Sequence, residues 1–102
     1  MNRYSLAIAT VLALASTSVL ANEDAGRTIS DLGAQGTGYV AVREGFSAPC
    51  TFGVVYLPDL SQYNSRAMMA VLLSAQSRGA QVAITYDQAA SGVCTASKVS
   101  AK

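Results

Sequence analysis

The fold is decided by residues 65–87, SRAMMAVLLSAQSRGAQVAITYD, where one period of apolar residues gives way to another. In the first part the apolar positions recur at helical spacing, as a stripe made of Met68, Val71, Leu72 and Ala75. This stripe predicts an amphipathic helix over 65–78, with Asn64 as its N-cap and Gly79 as its left-handed C-terminal cap. In the second part large apolar residues occupy every other position, which predicts a strand over 81–87.

Three further strands are predicted around this unit. Residues 37–43 and 93–100 alternate in the same way, and residues 50–57 are dense in β-branched and aromatic side chains. Because the strands come in pairs joined by short turns, the sheet is expected to be mostly antiparallel, with the helix on one face. The order strand, strand, helix, strand, strand predicts a small α+β domain that is mostly β.

The N-terminal region predicts an exported chain. A short positive leader with Arg3 precedes an apolar run that is too short to span a bilayer, and small residues follow up to Ala21. This order is typical of a signal peptide over 1–21 that is cleaved after Ala21. The mature chain is therefore expected to begin at Asn22, to be soluble, and to be secreted or periplasmic. An N-terminal membrane anchor is the alternative.

The mature chain is expected to divide into two parts. Residues 22–36 are polar and end in a glycine-rich segment, which predicts a flexible lead-in with a helical turn around 28–32. The folded domain is then expected over 37–102.

Cys50 and Cys94 are the two cysteines of the chain. In an oxidising compartment an isolated pair predicts a structural disulfide, because a redox pair needs closer spacing and a metal site needs more ligands. Such a bridge stabilises a domain that is too small to form a large core.

The charge and the residue content exclude several classes of function. The seven basic residues are scattered singly, so no basic stripe is available for nucleic acid or an anionic membrane. The chain has no histidine, which removes the commonest general base and metal ligand. No cofactor, metal site or catalytic residue is predicted, and the chain is interpreted as not an enzyme. A further hypothesis is a small hydrolase in which the carboxylates of Asp59 and Asp87 face each other. Aspartates at turns are usually structural, which argues against it.

Two sets of side chains are candidates for contact with other molecules. Tyrosine offers an apolar ring and a hydroxyl, which suits sugars and proteins alike, and four tyrosines lie in or beside predicted elements: Tyr39, Tyr56, Tyr63 and Tyr86. Met69 and Leu73 lie outside the main apolar stripe of the helix and predict an interface with another subunit. A wide core face or a covering loop is the alternative for this pair.

Several short matches carry a family resemblance. They are the helix end Ser77-Arg78-Gly79, the strand over 81–86, the segment Gly92-Val93-Cys94-Thr95 and the strand start Thr37-Gly38-Tyr39-Val40. In these features the chain resembles the B subunit of subtilase cytotoxin and similar small secreted proteins. The resemblance implies a small barrel of the oligonucleotide/oligosaccharide-binding (OB) type, assembly into a ring-shaped pentamer, binding of sialylated or other cell-surface glycans, and a separate catalytic subunit.

The resemblance also implies particular ligand-binding residues. Thr37 would hydrogen-bond a sugar, Tyr86 would pack on it, and Asp31 matches an acidic position of the family loosely. The family has serine at the position of Thr37, and its members are longer and have a different cysteine arrangement. The expected function is therefore a secreted, non-enzymatic, glycan-binding module that forms an oligomer. The alternative is an accessory protein that binds another protein and no sugar, which is favoured if Thr37 and Tyr86 point to different faces.

Overall fold

The computed structural model describes residues 21–102, and the leader predicted over 1–21 lies outside the described residues apart from Ala21. Six strands and one helix make up this part of the chain: β1 Asn22–Arg27, β2 Ile29–Gln35, β3 Thr37–Val42, β4 Val55–Tyr56, α1 Tyr63–Arg78, β5 Val82–Gln88 and β6 Cys94–Ala101. The described residues contain no helix long and apolar enough to cross a membrane.

The strands form one mixed sheet in the order β1-β5-β6-β4-β3-β2. Neighbours are antiparallel except β4 and β6, which run parallel. The sheet is not closed, so β1 and β2 are its two edges, although they follow each other in sequence and only Thr28 separates them. The predicted α+β class, with strands predominating and a helix packed on the sheet, is confirmed.

The prediction of a flexible lead-in over 22–36 is wrong, because this segment forms the two edge strands. β1 pairs with β5, and β2 pairs with β3. An edge strand is held mainly by backbone hydrogen bonds to one neighbour and leaves much of its side-chain surface in water. Its sequence can therefore be polar, as in β1, where Asp24 is the only buried residue.

The strand predicted over 50–57 is mostly replaced by a turn. Residues Thr51–Gly53 form a short 3-10 turn in which Phe52 and Gly53 have positive φ values of 61° and 68°. Neither conformation is compatible with an extended strand, so pairing starts only at Val55 and β4 has two residues. The apolar content of the segment reflects burial of Val55 and Leu57 in the core.

The helix is close to its predicted position. It begins two residues early, at Tyr63, with Gln62 as an N-cap that makes no side-chain hydrogen bond, so the prediction of Asn64 as N-cap is wrong. Gly79 has a φ of 66° and its N–H bonds to the carbonyls of Ala75 and Gln76, which confirms the predicted left-handed cap.

The core lies between α1 and one face of the sheet. Strand residues of alternating position meet Leu72 and Ala75 of the helix there; these strand residues are Val40, Val42, Val55, Val82, Ile84, Cys94 and Ala96. The predicted disulfide is confirmed, since Cys50 is bonded to Cys94 at the start of β6. The bridge fastens the turn before β4 to the buried middle of the sheet.

Candidate functional site

The two faces of the sheet have different surroundings. Along β3, Val40 and Val42 are buried beneath α1, whereas Tyr39 and Ala41 point to the opposite side and are half-exposed. Within residues 21–102, α1 lies on the first side, against β2 and β6, and the side chains on the second side are half-exposed or exposed. We call the second side the open face.

A row of directly paired residues crosses the open face on five strands. Asp87 of β5 pairs with Thr95 of β6, Thr95 with Tyr56 of β4, Tyr56 with Tyr39 of β3, and Tyr39 with Gly33 of β2. Directly opposed side chains on neighbouring strands lie close enough to touch. The register therefore places two aromatic rings side by side in the middle of the open face.

Gly33 determines where the ring of Tyr39 lies. A Cβ atom at position 33 would be 2.6 Å from the Oη atom of Tyr39 and 2.8 Å from its Cζ atom. The ring therefore extends across β2 over the hydrogen of Gly33, in space that any other residue would occupy. This close approach explains a glycine in the middle of an edge strand.

Phe52 adds a third aromatic ring and is 86% exposed. It is the one non-glycine residue of the described chain with a positive φ. The neighbouring Cys50–Cys94 bridge and the hydrogen bond from the Thr51 N–H to the Gly92 carbonyl, at 2.9 Å, hold its turn against the β5–β6 connection. Neither an exposed apolar ring nor a strained backbone stabilises the fold, so the position of Phe52 needs another explanation.

The three rings border one groove. It has a volume of about 290 Å³ and is lined by Gln35, Tyr39, Phe52, Val54 and Tyr56. The lining thus combines flat apolar rings with an amide and two phenol hydroxyls, and it carries no charged side chain. The sequence drew attention to Tyr39 and Tyr56 but not to Phe52 or Gln35; the glycine after Phe52 was the available sign that a strand was interrupted.

The residues expected to hold a sugar do not lie together. Thr37 pairs with Gln35 and Asp31 pairs with Ala41, so both are on the open face near the groove. Tyr86 lies between half-buried Thr85 and exposed Asp87, and its side chain points to the helix side, where it is completely buried. The prediction that Tyr86 packs on a ligand is wrong, because its ring is part of the core and packs edge-on against Phe46 at 5.4 Å between centroids.

The hydroxyl of Tyr86 serves a structural cluster instead. It donates to the Oδ2 atom of buried Asp24 at 2.7 Å and accepts from the N–H of Ala48 at 3.2 Å. The Asp24 carboxylate also accepts from the N–H and the hydroxyl of Ser47, at 2.9 and 2.6 Å, and lies 3.5 Å from the Arg27 guanidinium. These contacts attach edge strand β1 to the loop that follows β3.

The electrostatics of Asp24 follow from this cluster. Burial alone raises the pKa of its carboxyl, but the hydrogen bonds from Ser47 and Tyr86 and the charge of Arg27 outweigh burial and hold the pKa below its ordinary value. Asp24 is therefore a buried, charged carboxylate with a structural role, and its oxygens are hydrogen-bonded and paired with Arg27.

The other predicted contact residues are separated from the groove. Met69 is half-buried against the core, and its Cε atom fills the space that a Cβ at Gly38 would need, which favours the alternative of a wide core face; its role in a subunit interface stays a prediction. Leu73 is 52% exposed and Tyr63 is 80% exposed on α1. Leu73 as an interface residue stays a prediction.

Asp59 has the turn role that its position favours. Its Oδ1 atom accepts from the N–H of Ser61 at 2.9 Å, and hydrogen bonds from Ser61 lower the pKa of its carboxyl. Asp87 lies on the open face opposite Thr95. Among residues 21–102 no cluster of three or more acidic, cysteine or histidine side chains is placed to hold a metal ion.

No protein-family model, curated protein or solved structure matches this chain. The resemblance to the toxin B subunit therefore stays a prediction, and the geometry of the open face is the main basis for a functional proposal.

Proposed function

We propose that this protein is a non-enzymatic binding module that holds carbohydrate in the aromatic groove of its open face. The observation that carries the proposal is the direct pairing of Tyr39 with Tyr56 beside an exposed Phe52. Three aromatic rings on an uncovered face add little to the core, so a ligand is the simplest account of their position.

The chemistry of the groove suits a sugar. A pyranose ring has apolar C–H faces that pack on aromatic rings, and hydroxyls around its rim that need hydrogen-bond partners. The tyrosine hydroxyls donate and accept, and the Gln35 amide does both as well. A mostly apolar lining with a few polar groups is also the general pattern of small-molecule sites.

The strand order supports the finer proposal of an OB-type arrangement. If β1 and β2 are counted as one long strand bent at Thr28, five strands remain, and that long strand pairs with β3 at one end and β5 at the other. The five-stranded, partly open OB barrel binds oligosaccharides and oligonucleotides on its second and third strands. In this count those strands are β3 and β4, which carry Tyr39 and Tyr56.

Export and assembly belong to the same proposal. The disulfide is consistent with an oxidising compartment, and a binding module without catalytic groups of its own fits a secreted or periplasmic protein. Exposed Leu73 is the residue through which subunits would associate, and a separate catalytic subunit would be the functional partner.

The test uses the exported, processed protein on a glycan array, followed by titration of each hit. Phe52→Gly removes one ring of the groove, and Tyr63→Ser removes an equally exposed ring on the helix. We expect at least one glycan to bind, with at least tenfold weaker binding by Phe52→Gly and unchanged binding by Tyr63→Ser. An array without hits, or hits that both variants retain, would overturn the proposal.

A protein partner is the second candidate, and one observation favours it. Thr37 and Tyr86 point to different faces of the sheet, so the pair expected to hold a sugar cannot share one patch. In this case the exposed ring of Phe52 would insert into a partner protein. An empty glycan array, together with a partner captured by the wild type and lost by Phe52→Gly, would establish this function in place of the first.

A further inference from the structure

We infer that the groove takes an uncharged sugar and discriminates against sialylated and other anionic glycans. This inference rests on the proposed carbohydrate binding and adds the chemical class of the ligand.

The first argument is the lining of the groove. The polar side chains among its lining residues are those of Gln35, Tyr39 and Tyr56, which carry an amide and two phenol hydroxyls. Amides and hydroxyls match sugar hydroxyls, whereas a carboxylate is bound best by guanidinium or ammonium groups that form charge-assisted hydrogen bonds. The groove supplies none of the latter.

The second argument is the charge around the groove. Asp31 lies diagonally next to Tyr39, because Asp31 pairs with Ala41 and Gly33 with Tyr39, and diagonal neighbours are about 7–8 Å apart. Asp87 lies two strands from Tyr56 in the paired row, or about 10 Å away. Carboxylates on both sides repel an anionic ligand and leave an uncharged one unaffected.

The third argument concerns the cations. Arg27 contacts Asp24 on β1, and Arg66 and Arg78 belong to the helix. Arg43 follows the end of β3, Lys98 of β6 pairs with Thr85 of β5, and Lys102 follows the end of β6. None of these three side chains lines the groove.

The size of the groove limits how much of a glycan it can hold. Its volume of about 290 Å³ is at the lower end of the range of small-molecule sites. It therefore suits one or two sugar residues at the end of a chain, where the presence or absence of a terminal acidic sugar decides the charge of the ligand.

The experiment compares matched glycans. Each neutral glycan is displayed beside the same glycan capped with sialic acid, and the processed protein is titrated at about 0.05 M and about 0.5 M NaCl, a range over which screening becomes strong. We expect the neutral members to bind with the same affinity at both salt concentrations. The capped members should bind at least tenfold more weakly.

Charge variants separate this inference from the proposed function. Arg43→Gln and Lys98→Gln should leave the affinity for the neutral glycans unchanged. The double variant Asp31→Asn, Asp87→Asn should reduce the difference in affinity between neutral and capped glycans at low salt. Binding confined to capped glycans, lost in Arg43→Gln or Lys98→Gln, would overturn the inference and leave carbohydrate binding intact. If no glycan binds, or if no binding is weakened by Phe52→Gly, carbohydrate binding itself is overturned instead.

Discussion

The two faces of the sheet are formed by alternate residues of the same strands, but they differ in what holds their side chains in place. On the helix side, Val40, Ile84 and Tyr86 are wholly buried and packed against one another or α1. On the open face, Tyr39 and Tyr56 remain half-exposed, and Phe52 stands at the edge on a strained backbone.

This difference separates stability from function. Removing a side chain from the helix side leaves a cavity or an unpaired polar group, and both are costly. Removing a ring from the open face exposes only a little more sheet to water. Substitutions on the two faces should therefore have opposite profiles, with large losses of stability on one side and losses of binding on the other.

The largest effect on stability is expected from removing the bridge. Cys50→Ala combined with Cys94→Ala releases a constraint between residues separated by 44 positions, which lowers the free energy of unfolding by about 4 kcal/mol on the chain-entropy estimate. Denaturation by urea measures the change, and the wild type with a reducing agent is the control that should lose a similar amount. A loss below about 1 kcal/mol would show that the packed face, and not the bridge, holds the turn before β4.

Two adjacent leucines of α1 give the next comparison. Leu72 is fully buried, so Leu72→Ala should lower the free energy of unfolding by about 3 kcal/mol. Leu73→Ala removes the same atoms from a half-exposed position and should change it by less than about 0.5 kcal/mol. If Leu73 joins subunits as predicted, light scattering should show weaker association of Leu73→Ala at equal stability; association identical to that of the wild type contradicts that role.

Asp24→Asn tests the polar part of the helix side. Asparagine cannot accept all the hydrogen bonds from Ser47 and Tyr86, so the free energy of unfolding at neutral pH should fall by about 2 kcal/mol. Asp87→Asn on the open face is the matched control and should leave it unchanged. Equal losses in both variants would refute a special role for Asp24.

The same variant has a predicted pH dependence. The folded state holds the pKa of Asp24 below its ordinary value of 3.8, so the unfolded state binds more protons in acid. The stabilisation is present above pH 3.8 and is lost as the pH falls through the lower, folded pKa. Asp24→Asn should therefore be less acid-sensitive than the wild type, although the lowered pKa values of Glu44 and Asp59 leave part of the sensitivity.

The smallest effect on stability is expected at Phe52. Phe52→Gly loses little buried surface and relieves a positive φ, whereas Phe52→Ala loses the same ring and keeps the strain. The glycine variant should be more stable than the alanine variant by about 1 kcal/mol, and both should lose glycan binding equally. Unequal binding by the two variants would mean that the backbone of the turn, rather than the ring, contacts the ligand.

Local patterns predicted the elements that rest on local rules. Helical spacing and a glycine cap located α1, alternation located β3, β5 and β6, and the isolated cysteine pair indicated the bridge. Alternation also placed Tyr86 on the same face as Val82 and Ile84, and this placement is correct. The ligand-binding role of Tyr86 came from the family resemblance, and the burial of Tyr86 contradicts it.

The remaining features depend on residues far apart in sequence. Residues 22–36 became strands because β5 and β3 offer free edges to pair with, which a polar segment does not reveal by itself. The groove exists because Gly33 leaves room for Tyr39 and because the bridge holds the Phe52 turn beside β4.

The sequence by itself determined the periodicities, the helix end and the bridge, since these follow from neighbouring residues and composition. Only the tertiary structure decided which face stayed open and which rings meet on it, because pairing partners and helix packing join distant parts of the chain.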